Sequence, residues 1–210
     1  LWTGLKLKDV LEKAGLQSGV TQIKFTCLDG YTESLPLEAA MDERTLLAYA
    51  MNDKALPSNH GFPMRIYVPN RYGMKNPKWL TKIEAISDDY QGYWEVRGWD
   101  QDAIVKETAI IEIVATDHPV DGVIPVGGVA FSGARGISKV EVSVDNGPFQ
   151  PATLKPPMAP LNWTLWRYDM KAAKGHHQIV ARTYDGSVAA QIQDSAPLHP
   201  SGASGYHSVD

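Results

Sequence analysis

The sequence contains a single cysteine, Cys27. A lone thiol closes no internal disulfide and builds no zinc cage, so a disulfide-stapled scaffold and a structural zinc domain are both excluded. Cysteine usage therefore leaves the compartment open. No apolar run approaches the roughly 20 residues of a helical membrane span. Charge of one sign is lacking too: 20 Lys and Arg stand against 24 Asp and Glu, for a formal net charge of -4. Non-specific nucleic-acid binding rests on many cations neutralising phosphates, so that class is excluded, whereas a local anion pocket needs only a few. There is no internal repeat and no low-complexity tract. No signal-peptide pattern follows Leu1. Leu1-Trp2-Thr3-Gly4 does not read as a natural start, and the chain is expected to be a piece of a longer protein.

What is present is ordinary globular material. Apolar residues make up 43% and charged residues 21%, enough for a packed core and against disorder. Leu7, Val10, Leu11 and Ala14 recur at helical spacing over residues 5–14, and Gly15 is a plausible stop. Val20, Ile23, Phe25 and Cys27 predict a strand over 20–28, Asp29-Gly30 a turn, and Tyr31 to Leu35 the return strand. A short helical turn is expected near 37–41 and an apolar run over 45–51. Two further strands are expected at 65–69 and 78–86. Beyond about residue 103 the texture changes. Short β-type runs at 109–115, 128–132, 140–144, 162–168 and 178–183 are broken by Gly, Pro and Asn, as in an antiparallel sandwich.

The most informative segment is His60-Gly61-Phe62-Pro63-Met64-Arg65, followed by Pro69-Asn70-Arg71-Tyr72-Gly73 and Lys78-Trp79. A loop with Gly and Pro between strands can hold polar side chains in a set direction. Arg65 offers a planar fork suited to phosphate, Lys78 a point charge, and His60 a donor or acceptor near neutral pH. Together they form a candidate site for an anionic heterocycle. The bland alternative, solvated strand-end charges and a satisfied loop histidine, is equally compatible with the pattern.

Read in order, Leu46-Leu47-Ala48-Tyr49-Ala50-Met51-Asn52, Leu56-Pro57, His60 to Arg65 and Lys78-Trp79 resemble the cofactor domain of the sulfite oxidase family. Trp2-Thr3-Gly4 and Leu7 to Gly15 fit the same domain. Gly133 to Ile137, Val140 to Asp145, Trp163 to Arg167 and Gly202 to His207 resemble that family's dimerisation domain. The resemblance implies an α+β cofactor-domain portion over residues 1–102, the C-terminal part of a molybdopterin-binding domain. An all-β immunoglobulin-like sandwich over 103–210 would follow it and pair two copies as a homodimer. It implies molybdopterin contacts from Asp29, His60, Arg65, Asn76 and Lys78. It also implies two-electron oxygen-atom transfer at molybdenum in the parent enzyme. The family's metal-ligating cysteine lies upstream of these motifs. Cys27, in a predicted strand just before the Asp29 turn, is read as a buried thiol and not as that ligand. The fragment itself is therefore expected to lack the cofactor and to be inactive. An alternative is a non-catalytic dimerisation or interaction module derived from such an enzyme.

Trp99 stands where animal and plant members have a tyrosine, and Thr164 where they place an arginine. Indole cannot replace a phenol in proton transfer, and loss of a cation weakens the case for sulfite as substrate. Trp99, Thr164 and Arg167 are the substrate-pocket candidates, although Thr164 and Arg167 would face opposite sides of a regular strand. His176-His177 has no third ligand at metal spacing and reads as a surface hairpin. Tyr90, Tyr93, Trp94 and Trp99 read as a lid over the cleft or as core. Asp117-His118 with Ser195 lacks a nucleophile-elbow context. No haem motif points to the electron acceptor. A bacterial extracytoplasmic location is an expectation from family habit alone.

Overall fold

The computed structural model describes residues 1–210 except His118, Val120 and Pro160. The chain forms two compact units, residues 1–104 with 199–201, and residues 105–198 with 202–210. Among the described residues no helix is long and apolar enough to cross a membrane.

The first unit contains β1 (Trp2–Lys6), α1 (Leu7–Ala14), β2 (Gln22–Cys27), β3 (Thr32–Pro36), α2 (Leu37–Ala40), β4 (Leu46–Met51), β5 (Lys54–Ala55), β6 (Arg65–Tyr67) and β7 (Leu80–Ile86). Its helical content is thin, one helix of eight residues and one of four, so the unit is mostly antiparallel β rather than evenly α+β. One sheet runs β1-β4-β5 with β6 also on β4, and the other runs β3-β2-β7. The alternation that predicts β2 buries Ile23, Phe25 and Cys27. Leu7 and Leu11, four apart on α1, complete a core with Leu35, Leu47 and Ile66. Each such side chain contributes roughly 1.5–3 kcal/mol on burial. Gly15 ends α1 in the left-handed conformation, its N–H reaching Leu11 O and Glu12 O.

Strand β1 is absent from the sequence expectation, which began a helix at residue 5. Its pairing with β4 is long-range and carries a bulge at Thr3/Gly4. A Cβ on Gly4 would lie 2.5 Å from Leu47 O, so only glycine lets the two backbones approach.

The second unit contains β8 (Thr108–Val114), β9 (Ile124–Phe131), β10 (Ile137–Val144), β11 (Gln150–Pro151), β12 (Thr153–Leu154), β13 (Thr164–Met170), β14 (Ile179–Asp185) and β15 (His207–Val209). They make two 4-stranded antiparallel sheets, β12-β13-β9-β8 and β11-β10-β14-β15. Val126, Trp166 and Met170 from one sheet and Val140, Val142, Ile179 and Ala181 from the other share one core. Strand β9 starts at Ile124, ahead of the expected 128, because its Gly127-Gly128 pair reads locally as a breaker. A Cβ on Gly128 would sit 1.8 Å from Ile110 O and 2.8 Å from Trp166 Cζ2. The bare Cα is what lets the Trp166 ring lie on the strand opposite the β8 bulge.

Candidate functional site

Strands β2 and β3 meet in a turn at Leu28-Asp29-Gly30, closed by Gly30 N–H to Cys27 O (3.1 Å) with Gly30 at φ +82°. Asp29 is exposed there, and its Oδ1 accepts the Tyr31 N–H at 3.1 Å. The turn is tied to the segment before β7 by Leu28 N–H to Trp79 O, 2.9 Å. Trp79 itself holds φ +54°, a left-handed conformation that a bulky residue adopts at a cost of about 1–3 kcal/mol. Its indole N–H donates to Ser58 O at 2.7 Å, which sets the ring. The result is a cleft of about 320 Å³ lined by Asp29, Tyr31, Asn76, Lys78, Trp79 and Trp94 among others. Lys78 donates to Asn59 O at 3.0 Å and lies 4.4 Å from the centre of the Trp79 ring. A carboxylate, an ammonium and aromatic walls thus converge on one concavity, a set that can grip a flat heterocycle bearing an anionic tail.

Of the five predicted contact residues, the cleft brings together Asp29, Asn76 and Lys78. The Asn76 amide is committed internally: Oδ1 accepts the Val68 N–H at 2.7 Å, and Nδ2 donates to Arg71 O and Tyr72 O at 3.4 and 3.2 Å. Arg65 on β6 lies behind the cleft. Three of its N–H groups donate to carbonyls of Ile66 (3.3 Å), His60 (3.2 Å) and Asn76 (3.0 Å). Burial pulls its guanidinium below the ordinary arginine value. His60 is partly buried and ends the short turn Ser58–His60, whose Asn59 carbonyl holds Lys78. A Cβ on Gly61 (φ +106°) would meet Lys78 Cβ at 3.0 Å and Arg65 Cβ at 3.1 Å. Glycine is therefore what allows these two cations to flank one loop.

Sequence reasoning missed a buried polar cluster behind the same wall. Lys75, fully enclosed in the turn Gly73–Lys75, donates to Glu33 Oε1 at 2.8 Å, to Ser34 O at 3.1 Å and to Glu95 Oε1. Glu33 Oε2 lies 2.9 Å from the Tyr31 hydroxyl, which is also 2.7 Å from Met74 O. Burial pushes the Glu33 carboxyl up to about 7, against the opposing pull of Lys75. One signal was available. Glu33 pairs directly with Phe25, and cross-strand partners share a face, so the register of the hairpin puts Glu33 on the side of a buried aromatic.

The remaining candidates are dispersed. Cys27 is buried and its thiol is pushed up to about 11, chiefly by burial, which leaves an inert thiol. Trp99 makes edge contacts with Trp94 (6.0 Å) and His199 (5.2 Å) within the first unit. Tyr90 is pinned to the sheet, its hydroxyl donating to Thr32 Oγ1 at 2.8 Å, whereas Tyr93 and Trp94 keep exposed edges. In the second unit Thr164 is buried and Arg167 exposed on opposite faces of β13, and Arg167 pairs with Asp169 at 2.7 Å. His177 is held by Asp145 Oδ2 (2.7 Å) and Ala173 O (2.8 Å). Ser195 is exposed, and His118 lies outside the described residues. Among the described residues no group of three His, Cys, Asp or Glu could hold a metal ion.

Residues 1–94 match the family model of the oxidoreductase molybdopterin binding domain. The chain is 31% identical over 234 residues to mitochondrial sulfite oxidase of Homo sapiens, a match covering 94% of this chain and 43% of that protein. It therefore spans less than half the length of that relative. It is 36% identical over 99 residues to the uncharacterized oxidoreductase YuiH of Bacillus subtilis, covering 47% of this chain and 50% of YuiH. The fold matches the crystal structure of the sulfane dehydrogenase SoxCD from Paracoccus pantotrophus with a TM-score of 0.77 at 20% identity, over 99% of this chain and 59% of that one. By its cofactor-domain match and its relatives, this chain belongs to the sulfite oxidase family of molybdopterin-dependent oxidoreductases.

Proposed function

We propose that this chain supplies the pterin-binding wall of a sulfite-oxidase-type molybdenum oxidoreductase, and a sandwich domain that pairs two copies of it. The observation that carries the reading is the cleft in which Asp29, Lys78 and Trp79 converge, with Trp79 held in a strained backbone conformation. The residues fit the group. The Asp29 carboxylate accepts from heterocycle N–H groups, the Lys78 ammonium meets a phosphate, and Trp79 and Trp94 give flat apolar walls. Arg65, with three of its five donors on carbonyls, and Asn76, with its amide spent, act here by holding the Lys78 loop; His60 beside them is the remaining candidate contact. When bound, molybdopterin supplies the two-electron redox chemistry through its metal. The substrate is an oxyanion or oxide, with sulfite the family's default. Trp99 and Thr164, in place of a phenol and a cation, argue for a different member of that class.

The only cysteine is buried and poorly ionised, so the 210 residues by themselves offer no thiolate for molybdenum. The second unit is proposed as an immunoglobulin-like dimerisation domain. Leu165, Val129 and Ile110 stand in register across the face of one sheet, with Leu165 about half exposed.

Pterin fluorescence and oxidase turnover test the cofactor reading on the purified protein and on the 210-residue polypeptide. Lys78→Ala should weaken pterin retention roughly ten- to a hundred-fold, the value of a charge-assisted hydrogen bond. The polypeptide alone should show no turnover. Unchanged retention in Lys78→Ala and Asp29→Asn would remove the cleft as the pterin site, and turnover by the polypeptide would remove the reading that these residues offer molybdenum no thiolate.

A further inference from the structure

The cluster behind the cleft holds two carboxyls and one ammonium, each sealed from water: Glu33 and Lys75 at 0% exposure and Glu95 at 6%. If all three are ionised, one negative charge is buried without compensation, an expensive state that proteins usually avoid by taking up a proton. The hydrogen bonds say where the proton sits. Lys75 spends its three donors on Glu33 Oε1, Glu95 Oε1 and Ser34 O, so none is left for Glu33 Oε2. The Tyr31 hydroxyl has one proton and two close neighbours, Met74 O at 2.7 Å and Glu33 Oε2 at 2.9 Å. A carbonyl can only accept. With Glu33 ionised both neighbours are acceptors, and one contact is lone pair against lone pair. With a proton on Glu33 Oε2 the chain runs Glu33 to Tyr31 to Met74 O, and both contacts of the Tyr31 hydroxyl are matched, while Glu95 Oε2 stays buried without a hydrogen-bond partner.

We propose that Glu33 carries this proton and is a positioning residue, aiming the Tyr31 hydroxyl at the Met74 carbonyl and so latching the Tyr31–Met74 wall of the cleft. Both residues line that cleft. The latch concerns control of the site proposed above as a pterin site, and its importance for function rests on that reading; the location of the proton does not. Burial raises the Glu33 carboxyl to about 7, with Glu95 adding to the rise and Lys75 opposing it. The latch is therefore closed below neutrality and released as pH rises through it. The other groups facing the cluster are Tyr31, whose phenol burial pushes up, and Cys27 on β2, whose thiol feels Glu33. Asp100 interacts with Lys75 from beyond. Gly92 caps the pair: a Cβ there would lie 2.7 Å from both Glu33 Oε1 and Glu95 Oε2, so nothing larger fits over the carboxyls.

Infrared difference spectra over a pH titration of the cofactor-free protein test the proposal. The expected result is a protonated-carboxyl C=O band lost with a midpoint close to neutral. In Tyr31→Phe that band should move, because the acceptor for the Glu33 proton is gone. A proton on Glu95 would leave its position unchanged, which overturns the assignment, as does the absence of any such band. Glu33→Gln is isosteric, and its amide can donate to Tyr31 at any pH. The pH-dependent change in its tryptophan emission should therefore be smaller than in the parent, by the part the latch contributes; a pH dependence equal to the parent's overturns the latch. Since no cofactor is present, a failure to bind pterin would count against the cofactor reading and leave this result standing.

Discussion

Asn76 shows how one side chain can border a ligand cleft and yet work mainly for the fold. Its carboxamide replaces a missing backbone partner, accepting the buried Val68 N–H at 2.7 Å and donating to two carbonyls of the 71–72 segment. Asn76→Ala leaves the Val68 N–H without a partner, and an unsatisfied buried donor costs about 1–3 kcal/mol. Urea unfolding should register that loss, and cofactor retention should fall only as far as the fold does. Lys78→Ala is expected to do the opposite, sparing stability and weakening retention. The two lysines of the region differ for the same physical reason. Lys75 is enclosed with two carboxyls, whereas Lys78 keeps access to the cleft. Residue type and spacing do not separate them, because burial is decided by what the turns fold against.

At the scale of elements, the segment joining β13 to β14 carries its own charge switch. His177 Nδ1 faces Asp145 Oδ2 and Nε2 faces Ala173 O, both of them acceptors, so the imidazole satisfies both only as the cation. Its pKa is accordingly raised above 6.5, first by the Asp145 hydrogen bond and then by Ala173. A raised folded value contributes stability that is fully present below the unfolded pKa and is lost as pH rises through the folded one. The melting temperature should therefore fall more between about pH 5.5 and about pH 8.5 in the parent than in His177→Ala. An equal fall in both would show that this pair does not couple to folding. The two histidines are expected on a surface hairpin, but the flanking strands β13 and β14 belong to different sheets, so the segment is a connection between sheets and not a hairpin. The partner that makes one of them a cation is 32 residues away in sequence and emerges only when β10 and β14 pair.

For the whole molecule, the second unit offers a sheet face on which Leu165, Val129 and Ile110 align across three strands, with Arg167 and Asp169 following Leu165 on the same side. An apolar centre with a polar rim suits a self-complementary contact between two copies. Leu165→Asp should weaken the proposed dimer roughly tenfold or more, seen as a shift to monomer in sedimentation velocity. A parent protein that sediments as a monomer at all concentrations would remove the dimer from the proposal.

Much of this protein follows from its sequence alone. Alternating apolar residues specify β2, β10 and β14, the Asp29-Gly30 pair specifies the hairpin turn, and the ordered series from His60 to Trp79 carries the family likeness, because each is a local pattern. Strands β1 and β15 exist only through pairing with distant segments, β4 and β14, and the two-residue strands β5, β11 and β12 are too short to carry an alternation of their own. The same holds for the site. The cations of the cleft are named by the sequence, but which of them reaches the cleft, which is spent on carbonyls, and that Glu33, Lys75 and Glu95 share one closed chamber are decided by the tertiary structure. Burial and hydrogen-bond partners are properties of the packed chain, and it is these that turn a charged residue into a ligand contact, a clamp or a proton store.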